Sequence, residues 1–586
     1  MGMRGRLLLI SCVSWAYSCA AASDTSSTGV EGSALTLDAK IATADHGACA
    51  NGDQHSTHDG AAGRPSCKEL HVARVLLLSI DGMHQVDLAR FVAESPGSAL
   101  AKLALHGTQY TNAWVNTLDG TPTNPSDSFP GLLALTTGGS SRTHGGWYDV
   151  SYARDLYPYN ATAPCSGSPG TMIAYDESVE LDSDAGFPSL WGSTTDNTPT
   201  HDPVVVRTRI DPAKLPYAKT AAGCSPVLPH QFIRVNTIFE VAHAAGKHTA
   251  WSDKHLSYEL VTGPSGKGLD DFFAPEINSV ATNLVPTAPA DDDYTTNYAE
   301  TEVYDDFKVQ AILNQIDGKW SDDGLAGATD TAGATPGVPA IFGMNFQAVS
   351  VAQKNGRTTG HGGYEDAAGT PNLEVADALS HTDASIGRMT SELQARGLLA
   401  WTLIIVTAKH GQSPIDKSLV QKVDGDAVAA LVDGAAPLAG HIEDDVALYW
   451  LSDASKTAAG VAALLAPPTT VDPRVDTVFS SASPHFVRMF GDPTGDPHTP
   501  DIIVKVKKGV IYSLSTKKFA EHGGFADDDS HVALLVSNPA LAAATDDREV
   551  RTKQVAPTIL EALGLDATRL EAVRREATEV LPGLGL

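Results

Sequence analysis

Four short polar clusters, each beside an apolar run, carry residue types that can do chemistry. Asp81 follows Val75-Leu76-Leu77-Leu78-Ser79-Ile80 and precedes Gly82. A carboxylate in that position either ligates a divalent cation or caps a turn. Ser128 lies in Asp127-Ser128-Phe129-Pro130-Gly131, at the head of an apolar helical stretch that stops at Gly138. As an N-cap, Ser128 satisfies a backbone N–H. The same helix terminus attracts anions such as phosphate, and a base or metal can turn the hydroxyl into a nucleophile. Lys409-His410-Gly411 closes the run Thr402-Leu403-Ile404-Ile405-Val406-Thr407, and Glu521-His522-Gly523 precedes the run from His531 to Ser537. One histidine beside a strand is ordinary packing. Four such clusters in one chain point to a site.

The elements that must position these groups are legible as alternating patterns. Buried-strand runs occur near residues 72–80, 340–345, 402–407 and 531–537, and helical periodicity occurs over 236–245, 383–396 and 555–563. Strands alternating with helices predict an α/β fold with helices on both faces of the sheet, and ligands in such sheets sit beyond the carboxyl ends of the strands. Two stretches interrupt the rhythm, 150–232 and 262–336, and read as irregular insertions. Asp383 reads as a helix N-cap and His361 as part of a Gly-rich turn; Trp251-Ser252-Asp253-Lys254-His255 follows a helix and a strand, with no single residue standing out.

In order and spacing, these motifs resemble the alkaline phosphatase superfamily, specifically its nucleotide pyrophosphatase/phosphodiesterase branch. The likeness rests on Ile80-Asp81-Gly82, Ser128-Phe129-Pro130 through Thr137-Gly138, Lys409-His410-Gly411 and His522-Gly523, in that order, across residues 72–565. It implies a central, mostly parallel sheet with helices on both faces. It also implies that Asp81, Ser128 and His410 ligate one metal while His522 serves a second, with one or two zinc ions as cofactor. Ser128 would be the nucleophile, forming a phospho-serine intermediate. The chain departs from the family where metals are held. Lys409 stands where the family has Asp. Asn345 or Gln347 stands where a carboxylate ligand belongs, with no His four residues later. A lysine there supplies a fixed cation, which gives Lys409 a catalytic role as a phosphate- or sulfate-binding charge. The resemblance therefore implies a secreted, metal-dependent hydrolase of phosphate esters of the phosphodiester or nucleotide type. The departures leave two alternatives: a sulfate or phosphonate ester hydrolase using one metal plus Lys409, or a catalytically silent relative that binds a ligand.

Composition bounds the partners. The 586 residues are 42% hydrophobic, and 41 Lys plus Arg against 70 Asp plus Glu give a net charge of −29. A surface this acidic disfavours bulk nucleic-acid and anionic-membrane binding; the resemblance implies a small-molecule phosphate ester or nucleotide as substrate. Arg4 and Arg6, the apolar stretch from Leu7 and Ala20-Ala21-Ala22 read as a signal peptide over residues 1–22. Export to the periplasm or medium is expected over lipid anchoring at the lipobox-like Leu9-Ile10-Ser11-Cys12, and no transmembrane segment is expected. Residues 23–70 read as a flexible polar leader, and 71–586 as the catalytic domain. Four cysteines remain after the signal, and the sequence-local pairs Cys49–Cys67 and Cys165–Cys224 are expected. Oligomeric state has no signature in the sequence.

Overall fold

The apolar run near the start of the described residues forms β1 (Arg74–Ile80), in which every residue after Arg74 is buried. In this computed structural model the described residues are 70 and 72–586, apart from 119, 176–178, 180–188, 194–196, 329–334, 356–359, 469 and 516–517. The expected signal peptide, the polar leader and the Cys49–Cys67 pair lie outside them. Alternation along β1 sends Val75 and Leu77 into one apolar cluster and Leu76, Leu78 and Ile80 into another, so the strand is covered on both faces.

The remaining strands of the central sheet are β2 (Gly107–Tyr110), β3 (Ala250–Ser252), β4 (Asp271–Phe273), β5 (Ile341–Phe346), β6 (Thr402–Thr407), β7 (Leu534–Ser537) and β8 (Ala544–Asp546). Their order is β4-β3-β5-β1-β6-β7-β2-β8. All neighbours pair in parallel except β7, which opposes both β6 and β2. Leu77 lies opposite Gly343 on one side and Ile405 on the other. This register brings the ends of β1, β5 and β6 level, so the residues that follow them emerge at one edge.

Helices cover both faces, as expected. On one side lie α1 (Ser128–Thr137), α2 (Ile238–Ala244) and α6 (Val555–Ala562). On the other lie α3 (Tyr298–Ile316), α4 (Ala348–Asn355) and α5 (Leu373–Ala395). The stretch 262–336 is more ordered than its composition suggests, since it holds β4 and the 19-residue α3. Its helical period is masked because α3 buries Glu300, Asp305 and Lys308 alongside its apolar residues. The stretch 150–232 contains two hairpins and short helices, and the expected Cys165–Cys224 disulfide is present, with Cα atoms 5.9 Å apart. A separate four-stranded antiparallel sheet, Leu438–Glu443, Val446–Leu451, Ile502–Val506 and Val475–Ser480, has no counterpart in the sequence reading.

Asp383 does not start a helix. Asn372 caps α5 eleven residues earlier in the chain, and the apolar residues Val375, Ala378 and Leu379 extend the buried stripe towards it. The Asp383 carboxylate instead accepts from the N–H groups of Ala99 and Leu100, at 3.0 and 2.7 Å, capping a neighbouring helix from outside.

Two contacts set where α1 sits. A Cβ at Gly131 would come within 2.2 Å of the Lys409 carbonyl oxygen, so only glycine lets α1 press onto the backbone that follows β6. Beyond the helix, Ser140 N–H donates to Glu576 at 2.9 Å and the Lys553 ammonium meets the same carboxylate at 2.7 Å. Burial pushes the Glu576 carboxyl up. Lys553, Ser140 and Thr143 outweigh that effect and hold it at about 2.

Gly131→Ala is expected to destabilise the fold by about 2 kcal/mol, because the obstacle is backbone and cannot rotate away; urea unfolding measures it. A depressed carboxyl pKa contributes stability above about pH 4.5, which is lost as pH falls towards the folded value near 2. Glu576→Gln should therefore lower stability at neutral pH by about 2 kcal/mol and flatten the loss of stability on acidification, read from melting temperatures between pH 2 and 7.

Candidate active site

The parallel sheet delivers its polar clusters to one place. Asp81 follows β1, Asp253 and Lys254 follow β3, Asn345 and Gln347 flank the end of β5, and Lys409 and His410 follow β6. Ser128 arrives on α1 and His522 on the loop before β7. All of the expected site residues, Asp81, Ser128, Asn345, Lys409, His410 and His522, thus converge.

Asp81 is fully buried and saturated with donors. Its Oδ1 accepts from Asn345 Nδ2 at 2.8 Å and its Oδ2 from Gln347 Nε2 at 2.6 Å. Oδ2 also lies 3.4 Å from Lys409 Nζ, 3.6 Å from Lys254 Nζ and 3.6 Å from His410 Nε2. Burial raises the Asp81 carboxyl, but Lys409, His410 and Lys254 together hold it well below the usual carboxylate range. Lys409 is itself buried. It reaches Asp253 Oδ1 at 3.5 Å and lies over the Tyr258 ring, 4.5 Å from its centre.

Ser128 is not the cap of its helix. Asp127 is, with Oδ2 accepting from Phe129 N–H at 3.0 Å. Asp caps as well as Ser and stands one residue earlier, so Ser128 becomes the first helical residue and its hydroxyl is released from the backbone. Ser128 Oγ lies 3.1 Å from His410 Nε2 and 3.3 Å from Lys254 Nζ. His410 Nδ1 is 2.8 Å from the Gly411 carbonyl, which can only accept, so Nδ1 carries a proton. In the neutral ring the Nε2 lone pair then faces the serine hydroxyl.

His522 packs on His410, with ring centres 3.9 Å apart, and its Nδ1 lies 3.6 Å from Asp127 Oδ1. Burial pushes the His522 imidazole well below its ordinary value, and His410, Lys354 and Lys254 push it further, so the ring is neutral. Asp127, Ser128, Tyr148, Lys254, Tyr258 and His522 border a cavity of about 260 Å³. Lys254, Asp253 and Tyr258 belong to the site although the sequence reading selected none of them. The segment 251–255 is legible as following a helix and a strand, but a strand of three residues, Ala250-Trp251-Ser252, does not fix which residue after it faces the site. His361 is exposed and does not border the cavity.

The donor set does not suit the zinc centre that the resemblance implies. Asn345 and Gln347 present N–H groups to Asp81, where zinc needs carboxylate or imidazole ligands. Both Lys254 and Lys409 stand within 3.6 Å of the carboxylate that would have to bind the ion. At about 4 Å, one ammonium repels a divalent ion by roughly 8 kcal/mol at an effective dielectric of about 20, before the second is counted. Among the described residues, no three His, Cys, Asp or Glu side chains are grouped to hold a metal.

Comparison with known proteins agrees with the architecture. The family model for type I phosphodiesterase / nucleotide pyrophosphatase matches residues 276–481. That stretch holds Asn345, Lys409 and His410 but not Asp81, Ser128 or His522. Wild-type alkaline phosphatase PafA superposes with a TM-score of 0.50 at 14% identity, over 85% of this chain and 96% of that one. A multiply substituted mutant of the same enzyme gives 0.52 at the same identity and coverage. Murine ectonucleotide pyrophosphatase / phosphodiesterase 5 gives 0.48 at 14% identity, over 84% of this chain and 96% of that one. No curated protein matches the chain. With the sheet order and the convergent strand ends in place, the chain has an alkaline-phosphatase-like fold, and its residues 276–481 are similar to type I phosphodiesterases / nucleotide pyrophosphatases.

Proposed function

We propose that the protein hydrolyses small phosphate esters, nucleotides among the candidates, by in-line displacement on Ser128 with His410 as general base. The observation that carries this reading is the position of Ser128. Its hydroxyl is the first side chain of a buried helix, 3.1 Å from an imidazole nitrogen and 3.3 Å from an ammonium, at the edge of a polar cavity. The helix N-terminus adds a partial positive charge towards an entering phosphoryl group.

The chemistry balances without further groups. His410 Nε2 takes the Ser128 proton as Oγ bonds to phosphorus, and the P–O bond to the alcohol breaks on the opposite side. The departing oxygen takes its proton from water at the cavity mouth. In the second half, water attacks the phospho-serine from the side the alcohol left and releases one proton to solvent. Ser128 Oγ then recovers its proton from His410. Lys254 stands where negative charge gathers on the phosphoryl oxygens, which is the usual means of stabilising this transition state. The cavity, about 260 Å³, suits a small ester rather than a polymer.

An extracytoplasmic setting belongs to the same proposal. Residues 1–22 have the composition of an export signal, the Cys165–Cys224 disulfide is favoured in an oxidising compartment, and no helix among the described residues is long and apolar enough to cross a membrane.

Turnover of bis-p-nitrophenyl phosphate, p-nitrophenyl phosphate and p-nitrophenyl sulfate tests the assignment and ranks the ester classes. Ser128→Ala should lower kcat by about a thousandfold or more, roughly 4 kcal/mol of barrier, and His410→Gln by about a hundredfold or more. Rapid quenching followed by mass spectrometry should find phosphate on the Ser128 peptide of the wild type. Equal hydrolysis by wild type and Ser128→Ala on all three esters would refute the nucleophile.

A further inference from the structure

The mismatch between the donor set and a metal centre has a positive side, because the cation places beside Asp81 are already filled by lysines. Lys254 and Lys409 approach the same carboxylate oxygen, at 3.6 and 3.4 Å, from the ends of β3 and β6. Each is further fixed. Lys409 Nζ reaches Asp253 Oδ1 at 3.5 Å and lies over the face of Tyr258. Lys254 Nζ donates to Gln347 Oε1 at 3.4 Å and to Ser128 Oγ at 3.3 Å. The two amides complete the arrangement: Asn345 and Gln347 turn N–H groups towards Asp81, which suits a carboxylate already balanced by ammonium groups and does not suit a metal ligand.

The two lysines differ in access. Lys254 borders the cavity and touches the nucleophile, whereas Lys409 is fully buried behind Asp81. We infer that this protein has replaced the divalent-metal chemistry of its fold with tethered ammonium groups: Lys254 is a catalytic residue that meets the phosphoryl oxygens, Lys409 is a positioning residue that neutralises Asp81, and hydrolysis proceeds without a bound metal. The inference rests on the proposed serine hydrolase reading and adds that the site needs no zinc. Lysine delivers a single charge and donors fixed to the chain, so the site keeps electrostatic stabilisation of the phosphoryl group but gives up metal activation of the nucleophile. The Ser128–His410 contact supplies that activation instead.

The experiment uses the full chain and reads zinc and turnover separately. Wild-type protein equilibrated with zinc and dialysed should retain well below one zinc per chain, and EDTA should leave hydrolysis of bis-p-nitrophenyl phosphate unchanged. Lys409→Asp, which returns a carboxylate beside His410 and removes one of the two ammonium groups, should bind zinc at least about tenfold more tightly than wild type by calorimetry even with Lys254 still opposing the ion, an outcome that a merely structural lysine would not produce. Lys254→Gln should lower kcat/KM by about a hundredfold while the protein stays folded at the assay temperature by circular dichroism, and Lys254→Arg should recover most of it. Stoichiometric zinc in the wild type that is lost in His410→Ala, or activity abolished by EDTA and restored by zinc, overturns the inference. So does full activity in Lys254→Gln. If no ester is turned over by any form, the serine hydrolase reading fails, while the zinc measurements on wild type and Lys409→Asp still decide whether lysines hold the metal places.

Discussion

A carboxylate with no exposure to solvent has to be compensated or it stays neutral, and Asp81 is compensated from three directions. Amides from the end of β5, ammonium groups from the ends of β3 and β6, and an imidazole from the same β6 end all face its two oxygens. Leaving such a charge unpaired in the interior costs several kcal/mol, so each partner is held to the geometry of the others. The parallel sheet makes this practical, since neighbouring strands that run the same way end at the same edge. The buried Asp305–Lys308 pair on α3 supports the arrangement from behind: Asp305 accepts from the N–H groups of Gln347 and Ala348, fixing the turn that presents Gln347 to Asp81.

The reactive end of the site follows from the same constraint. Gly131 lets α1 lie against the Lys409 backbone, which places the helix start beside the residue that follows Lys409. Ser128 therefore meets His410 because both are tied to the end of β6. The Gly411 carbonyl then settles which imidazole nitrogen faces the hydroxyl. A serine hydroxyl, an imidazole and a fixed ammonium are brought together by backbone placement, with little left to side-chain adjustment.

The fold was legible because its central strands are continuous apolar runs and their ends are marked by polar residues. The meeting of Asp81, Ser128, Lys409, His410 and His522 was legible for the same reason, through motif order. Four things were hidden by identifiable physics. The strand β3 is three residues long, so the segment 251–255 was legible as following a strand but nothing in it singled out Asp253 or Lys254. The helix α3 buries charged residues and lost its amphipathic period. Asp383 was read as the start of its own helix, but its carboxylate caps a neighbour, a contact that sequence spacing cannot express. Ser128 was expected to cap α1, and Asp127 took that role; a one-residue shift decided whether the hydroxyl served the backbone or faced the cavity.

The central claim is that charge at the phosphoryl group comes from Lys254 and activation of Ser128 comes from His410. A crystal structure of the zinc-equilibrated protein with bound vanadate, recorded with anomalous data at the zinc edge, tests it most directly. The account predicts vanadium bonded to Ser128 Oγ, an equatorial oxygen within hydrogen-bond reach of Lys254 Nζ, and no zinc peak near Asp81. A zinc peak between Asp81 and His410, with Lys254 swung away from the vanadate, would contradict it.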